Sequence, residues 1–599
     1  MPESEKIAPQ KVTEEPPQLN ESGIRSVFAK LRKRRIIETL AAFIGGGWLI
    51  LEFVHWLLVD HYHFPEKTID VTFVTILGAL LCTLIWRWFS GREKPRKFKL
   101  ELVLIPLLVL VTALLDINLL IHLNEPESEP FPAAAKWKNS IAVLPFQNIS
   151  PEEGQDYFCD GLTDELINRL SNIKELKVIA KTSAYSFKGK EIDIREIGNK
   201  LNVATVLEGG VRKAGNKLRI TAQLINVGDG FHLWSESYDK QLTDVFTIQD
   251  EIALMIADKL KLTLLGEEKS KLTKRPTENL EAYNLYLQGR FLIDKGAPYL
   301  GQARDYFSQA IKLEPNYGLA YAGLADVYVW LCMSGASPNE FMPRASEAAH
   351  KALKIDGKFA EAHLSLANIK FFYDWDWAAA EAEYVQTIEL NPNYARAYSE
   401  YSTCLMILKR FDEAFEKAKK GEELDPLSPM RLFYLGDTLK HMRRYDEAIE
   451  VLNKGIEMDP NNDNPHFSLW LIYMYRGMYK DALREMEKLM EIGGFPGWHA
   501  TPGEMEEFKI ISKERGWRGG LEWNLDRMME KAKKERVSPF LIAQCHVILG
   551  HKAEAIKWLE RAYSEHDLIM PYLNTEAAFD PIRNDSRFVE ILTRMGFPK

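Results

Sequence analysis

The spacing of apolar and polar residues divides the chain into three kinds of segment. Long apolar runs occupy residues 36–59, 68–86 and 100–123. Residues 137–263 alternate short apolar stretches with amphipathic ones, which is typical of a small α/β domain. From residue 278 onward the apolar residues recur at helical spacing, and this predicts an all-helical region. The pattern alone therefore predicts a multidomain protein.

Each of the three apolar runs is long enough to cross a bilayer as a helix, since about 20 residues span its hydrocarbon core. Lysine and arginine are concentrated before the first run and between the second and third, so the positive-inside rule places the N-terminus in the cytoplasm. We therefore expect a multi-pass protein of the bacterial inner membrane, with the bulk of the chain outside the cytoplasm. Glu52 and Asp116 either pair at matched depth within the spans or lie near the outer interface.

The predicted fold class combines three transmembrane α-helices, a small α/β sandwich and an all-α solenoid. The linker before the α/β domain is recognised by its prolines and glutamates. The expected segments are a cytoplasmic basic tail (1–35), the transmembrane helices (36–123), the linker (124–136), the α/β domain (137–263), the repeats (278–570) and a C-terminal cap (571–599).

The α/β domain is predicted to have the order β-α-β-α-β-β-β-α. Ser140–Phe146 is typical of a buried strand, and Ala214-Gly215-Asn216 is typical of the turn of a hairpin. The domain resembles the TolB-like N-terminal (FlgO-type) family, which implies a small α/β fold and brings no known catalytic residue. The runs that carry the resemblance are Ile141–Phe146, Asp160–Leu166, Val206–Gly209, Arg219–Ile225, His232–Glu236 and Asp244–Asp250.

A closing phrase returns in register along the helical region. Leu390-Asn391-Pro392, Leu424-Asp425-Pro426 and Met458-Asp459-Pro460 each end a helical pattern, with their prolines 34 residues apart. This helix-turn-helix period resembles the tetratricopeptide repeat, which buries its apolar face only against neighbouring units. We expect about six to seven units in a right-handed superhelix that binds a protein or peptide partner in its groove.

The repeat register is interrupted twice. Met333–Pro343 is expected to be an enlarged loop, and Gly493–Gly520 is either a loop that bends the solenoid or a degenerate repeat. Loops on such scaffolds often carry binding residues, so both are candidates beside a plain insertion. Tyr373–Glu381 and Ala577–Phe588 resemble runs in proteins that join a TolB-like domain to these repeats, and the second resembles the cap of such arrays.

The chemistry-bearing residues of the α/β domain do not form a recognisable catalytic pattern. Asp160, Asp164 and Glu165 either hold a metal ion or serve the first turn of a helix, where acids favour the helix dipole. Cys159 has no histidine partner at a recognisable spacing. Gly209-Gly210 lacks a phosphate-loop lysine and is expected at a bulge or turn. We predict no catalytic, metal-binding or cofactor-binding residue, and no cofactor.

Composition narrows the class of partner. The formal net charge of −9, without a basic stripe interleaved with aromatics, argues against nucleic acid. Disulfides between the five cysteines are permitted and not required. Three of the four cysteines after the apolar runs fall on helical patterns, where a lone cysteine is usually a small buried residue.

These observations predict a non-enzymatic, membrane-anchored scaffold that binds protein or peptide partners in the bacterial envelope. The alternative is a signalling protein that couples an external TolB-like and tetratricopeptide sensor to a separate cytoplasmic effector. It is kept because relatives of the two domains are often fused to DNA-binding or nucleotide-cyclase modules. A third class, an envelope hydrolase, has no supporting triad, metal motif or cofactor loop. The sequence leaves a homo-oligomer open.

Overall fold

The structure is a computed structural model that describes residues 75–77, 79–84, 137–150, 154–262, 264, 269, 275, 277–493 and 499–598. The chain divides into two compact units, Met1–Pro132 and Ala133–Lys599. In the first unit only the two short helical stretches 75–77 and 79–84 are described. The fold that follows is that of the second unit.

The predicted transmembrane helices are not found in the part of the chain that the structure describes. Among the described residues, no helix combines the length and the apolar composition needed to cross a bilayer. Even the apolar helix Gly318–Met333 has 16 residues, fewer than the roughly 20 required. This contradicts the fold class with three transmembrane helices and the multi-pass inner-membrane localisation. Apart from residues 75–77 and 79–84, the predicted spans lie outside the described residues, as do Glu52 and Asp116.

Six strands form one sheet in the α/β domain. They are β1 (Ser140–Val143), β2 (Gln147–Asn148), β3 (Lys177–Val178), β4 (Thr205–Ala214), β5 (Lys217–Asn226) and β6 (His232–Gln241). The order is β3-β1-β4-β5-β6, with β2 beside β4. The short strands run parallel to their neighbours, while β4, β5 and β6 form an antiparallel meander. In the described residues, β6 is therefore an edge strand.

Four helices pack on this sheet. They are α1 (Asp156–Ser171), α2 (Lys181–Tyr185), α3 (Ile194–Leu201) and α4 (Val245–Lys259). Helices α1 and α4 cover one face, where Leu166 of α1, Ile220 of β5 and Ile252 of α4 are buried in one core. Helix α3 covers part of the other face. The predicted hairpin is confirmed, with Gly215-Asn216 joining β4 to β5, whereas β2 and α2 were not predicted.

Seven helix pairs and two further helices make up most of the rest of the described unit. The pairs are α5 (Leu280–Asp294) with α6 (Leu300–Leu313), α7 (Gly318–Met333) with α8 (Pro338–Ile355), α9 (Ala360–Ile369) with α10 (Trp377–Leu390), α11 (Ala395–Ile407) with α12 (Phe411–Leu424), α13 (Pro429–His441) with α14 (Tyr445–Met458), α15 (Asp463–Tyr475) with α16 (Tyr479–Ile492), and α18 (Pro539–Ile548) with α19 (Lys552–Ser564). Helix α17 (Pro502–Lys531) precedes the seventh pair, and α20 (Ser586–Arg594) is the last helix of the chain.

Small residues let neighbouring helices of the solenoid approach closely. The Phe307 ring of α6 is buried between Gly289 of α5 and Gly323 of α7. A Cβ atom at either glycine would lie 2.7 Å from that ring, closer than atoms can pack. The first helices of successive units also contact one another, as α7 does α9 and α11 does α13. The first helices therefore form the inner layer and the second helices the outer one.

Both interruptions of the register prove to be largely helical. Residues 338–343, expected in an enlarged loop, form the first turns of α8, with Pro338 at its start and Pro343 inside it. Most of Gly493–Gly520 belongs to α17, which is broken at Gly516, where φ is 67°. Residues 494–498 lie outside the described residues.

The C-terminal end of the solenoid packs back on its middle. The indole of Trp377 donates a hydrogen bond to the Met595 carbonyl (3.0 Å) and stacks on Phe597, with ring centroids 4.6 Å apart. Trp375 stacks on His566 at 4.8 Å. The two segments that were singled out by resemblance, 373–381 and 577–588, thus belong to one hydrophobic core.

Candidate docking edge of the solenoid

The turns that end each helix pair share one backbone geometry. The residue before the proline, or before Gly357 in the second unit, has φ between −149° and −135° in all five turns. A following proline favours this extended conformation because its ring crowds the preceding residue. The second helix of each unit therefore ends at the equivalent position, so the turns form a row along one edge of the solenoid. We call this row the turn edge; it comprises residues 314–317, 356–359, 391–394, 425–428 and 459–462.

The third turn is bound to the α/β domain through Asn393. Its side-chain NH₂ donates hydrogen bonds to the Ser171 and Leu176 carbonyls at 3.2 and 2.9 Å, and its Oδ1 accepts from the Val178 N–H at 3.2 Å. The Asn393 side chain is buried. One amide thus satisfies three backbone groups at the end of α1 and around β3, which would otherwise be buried without partners.

The fourth turn caps helix α2. Asp425 Oδ1 accepts hydrogen bonds from the Ser183 N–H (2.9 Å) and hydroxyl (2.6 Å), and the Leu424 carbonyl accepts from the Ala180 N–H (2.9 Å). Helix α2 has no side-chain cap of its own, so the carboxylate of the solenoid takes the place of an N-cap residue. Burial raises the pKa of Asp425, although Arg431 and Ser183 favour its ionised form.

A partly exposed ion-pair cluster centred on Lys181 supplies a third point of attachment. Lys181 Nζ lies 2.5 Å from Asp164 Oδ2 of α1 and 2.6 Å from Asp294 Oδ2 at the end of α5. Burial raises the pKa of Asp164 to about 6 despite this lysine. Nearby, Gly161 of α1 accommodates Leu287 of α5, whose side chain would lie 2.7 Å from a Cβ atom. The α/β domain and the solenoid are therefore joined by buried contacts, not by a linker alone.

The fifth turn has the same backbone and no such cover in the described residues. Met458, Asp459, Pro460 and Asn461 are all exposed, and Met458 is 44% exposed. By contrast, the residue that matches it in the fourth turn, Leu424, is 0% exposed. The first two turns resemble the fifth, because Leu313 and Ile355 are also exposed at this position. Within the described part of the chain, the turn edge thus carries two occupied and three open positions.

Part of the inner layer, where we expected a groove for a peptide, is covered by the chain itself. Residues 570–582, the return segment, cross the C-terminal ends of α11 and α15. Asn574 donates to the Ile407 carbonyl (2.8 Å), one of the carbonyls left over at a helix end. The Tyr475 hydroxyl donates to Glu576, and Lys440 Nζ lies 3.7 Å from the same carboxylate.

Buried charges hold the return segment in place. Burial alone would raise the pKa of Glu576, but Lys440 and His441 hold it below its ordinary value. Burial and the Lys440 charge both lower the pKa of His441. Phe579 and Ile582 of the segment are buried in the hydrophobic core around α18. Because these apolar side chains are part of that core, we assign the segment a structural role.

The acidic cluster of α1 forms ion pairs. Asp160 pairs with Lys188 at 2.5 Å, Asp164 with Lys181, and Glu165 with Arg169 at 3.1 Å. The described residues contain no group of side chains placed to hold a metal ion. These acids lie beyond the first turn, because α1 begins at Asp156, so their interpretation as first-turn residues is wrong.

Two other expectations concern the glycines at 209 and 210 and the cysteines. Gly209 and Gly210 lie inside β4 in regular register, and a Cβ at Gly209 would lie 2.4 Å from the Phe146 ring. They are neither a bulge nor a turn. The five cysteines are unpaired thiols, and burial raises the pKa of Cys159 to about 12. The docking residues Asn393 and Asp425 were not predicted: Asp425 stood out only as part of a closing phrase, and Asn393 directly follows one.

Comparison with known families defines the class of the solenoid. Tetratricopeptide-repeat family models match residues 372–429 and 429–462. The chain therefore contains tetratricopeptide repeats, as predicted. The family model that matches residues 137–255 is described as the second domain of HilA/YgeH-like transcriptional regulators. The expected TolB-like relationship is not shown.

Individual relatives cover only parts of the chain. It is 37% identical over 237 residues to a protein of Rhizobium meliloti (strain 1021) named putative adenylate cyclase 3; the match covers 38% of this chain and 40% of that relative. Among solved structures, the chain is similar to YrrB, described as a TPR protein with an unusual peptide-binding site (19% identity, 31% of this chain and 91% of that one, TM-score 0.24). It is also similar to PilF of Pseudomonas aeruginosa (18% identity, 39% and 97%, TM-score 0.29).

Proposed function

We propose that this protein is a non-enzymatic regulatory scaffold whose turn edge binds protein partners. The observation that carries the proposal is the way the solenoid holds its own α/β domain. Asn393 and Asp425 bind backbone groups of a neighbouring domain, and both do so from turns whose geometry recurs along the edge. Tetratricopeptide solenoids generally serve as docking surfaces, which supports the same role here.

The open fifth turn is the position proposed for a partner. It offers Met458 as an exposed apolar contact, with Asp459 and Asn461 beside it as an acceptor and an amide. These groups match the chemistry of the occupied turns, in which an acid or an amide binds backbone groups of the neighbouring domain. The partner that fits is a folded domain with a helix N-terminus or a strand end at its surface.

A regulatory role is supported by two of the similarities. The α/β domain matches a domain of transcriptional regulators, and a partial relative is named as a putative adenylate cyclase. This chain spans 40% of that relative, so the cyclase activity in the relative's name does not extend to this chain. We propose that the solenoid and the α/β domain act as the partner-binding part of a regulatory protein.

Site-specific photo-crosslinking in the native host tests the docking surface. A photoreactive residue at position 458 should yield a discrete crosslinked protein, and the yield should fall when Asn461→Ala is added. Position 510 is the matched control, because Ile510 is 50% exposed on α17, away from the turns. Equal crosslinking yields at positions 458 and 510 would contradict the proposal. A yield at position 458 that Asn461→Ala does not change would contradict it as well.

A further inference from the structure

Strand β6 presents a long free edge. It has ten residues and pairs along its length with β5, its single neighbouring strand in the described part of the chain. An edge of this length exposes a row of backbone donors and acceptors that can pair with another strand. Phe231, directly before β6, is 73% exposed, and Leu233 is 41% exposed. Phe231 is the most exposed large apolar side chain among the described residues.

The charges of β6 are arranged symmetrically about one residue. Glu236 and Lys240 lie two positions on either side of Tyr238, and all three side chains point to the same face because side chains alternate along a strand. An acid and a base placed in this way are complementary to the same strand running in the opposite direction. Both side chains are exposed, so they are accessible to a second strand.

We infer that β6 pairs antiparallel with β6 of a second copy of this chain, with Tyr238 on the two-fold axis. In this register Glu236 of each copy lies opposite Lys240 of the other. Asp239 lies opposite Ser237, and Ser235 lies opposite Gln241. Directly opposed side chains in an antiparallel pair have Cβ atoms about 5 Å apart, so each pair is within contact distance. The two meanders then form one continuous sheet across an isologous interface.

Neighbouring registers are less favourable. A shift that places Glu236 on the axis sets two glutamates against each other and brings His232 opposite Lys240. A shift that centres the pairing on Ser237 leaves no glutamate opposite a lysine. The register centred on Tyr238 is the one that forms two opposite-charge pairs and no like-charge pair. Charge complementarity therefore favours a second copy of the chain as the partner. It also favours the register centred on Tyr238.

The helix above the edge is compatible with this dimer. Helix α4 contacts both β5 and β6, so it lies over the last two strands of the sheet. A second copy would place its own α4 about two strand spacings from the first, or roughly 10 Å, which is the distance between packed helices. Lys240, which already lies 3.3 Å from Glu251 of α4, would then lie between two carboxylates.

Charge reversal tests the pairing and its register together. Sedimentation velocity of the purified full chain should show a concentration-dependent dimer. Glu236→Lys alone, or Lys240→Glu alone, sets like charges opposite each other twice and should raise the dimer dissociation constant at least about tenfold. The double variant Glu236→Lys/Lys240→Glu restores opposite charges in the same register and should recover the dimer.

The control for net charge is Glu191→Lys, an exposed acid in the loop before α3. It should leave the dimer unchanged, and circular dichroism of all variants should match that of the wild type. A wild-type chain that stays monomeric overturns the inference. A dimer that survives both single reversals, or that the double reversal fails to restore, overturns it as well.

Discussion

The fourth and fifth turns of the solenoid share an Asp-Pro pair and one backbone geometry, but their environments differ. Leu424-Asp425-Pro426 and Met458-Asp459-Pro460 end helices of the same length with nearly the same φ, −145° and −142°. Asp425 is 3% exposed and caps a helix of the α/β domain, whereas Asp459 faces solvent. The repeat therefore supplies the geometry of a docking turn, while the neighbouring domain decides whether the turn is occupied.

The largest expected difference between the two turns comes from removing the carboxylate. Asp425→Ala leaves the Ser183 N–H and hydroxyl without their acceptor and should lower the free energy of unfolding by about 3 kcal/mol. Asp459→Ala, 34 residues away at the matching position, should change it by less than about 0.5 kcal/mol. Urea unfolding followed by far-UV circular dichroism measures both. Similar losses in the two variants would show that the comparison is false.

The next effect concerns the amide of the third turn. Asn393→Ala removes three hydrogen bonds to backbone groups and should cost about 2 kcal/mol, since the Val178 N–H and two carbonyls stay buried. Amide hydrogen exchange at Val178 should become faster. Asn461→Ala, also the residue after the turn proline, is the control and should alter neither quantity. If hydrogen exchange at the Val178 amide were unchanged, Asn393 would not be needed to dock the α/β domain.

The smallest expected effect is a pH dependence of the free energy of unfolding, which arises from Asp164 where the α/β domain meets the solenoid. The folded pKa of Asp164 is about 6 and lies above the ordinary value of 3.8, so the folded state binds the proton more tightly. This stabilisation is present at low pH and is lost as the pH rises through about 6, which corresponds to about 1 kcal/mol between pH 5 and pH 7. Asp164→Asn should remove this component when unfolding is measured at both values. If the Asp164→Asn variant showed the same pH dependence as the wild type, the dependence would arise from other groups.

The local parts of the fold could be predicted because they depend on local patterns. The 34-residue period locates the ends of α10, α12 and α14, and the glycine of the two-residue turn locates the β4–β5 hairpin. The stretch 333–343 was misjudged as a loop, because α8 starts at one of its prolines and contains the other. For the stretch 493–520 a loop and a degenerate repeat were both left open, and most of it lies in α17, which is broken at Gly516.

The site could not be predicted for a different reason. Asp425 and Asp459 each follow a large apolar residue and precede a turn proline, so the closing phrase does not distinguish the occupied turn from the open one. The distinction arises from α2, more than 200 residues earlier in the chain. Likewise, the acids of α1 suggested a helix start, yet Asp160 and Asp164 pair with Lys188 and Lys181, which only the folded chain places beside them. The pair of Glu165 with Arg169 is local, since the two residues lie four positions apart on the same helix.

The contact between Trp377 and Met595 changes how such a solenoid can fold. A linear repeat array unfolds from its ends, because each unit depends only on its neighbours. Here residues 218 positions apart share a buried hydrogen bond, so the middle and the end of the array gain their final stability together. Contacts of such large sequence separation slow folding. During synthesis, the middle units therefore remain incomplete until residues 595–597 have left the ribosome.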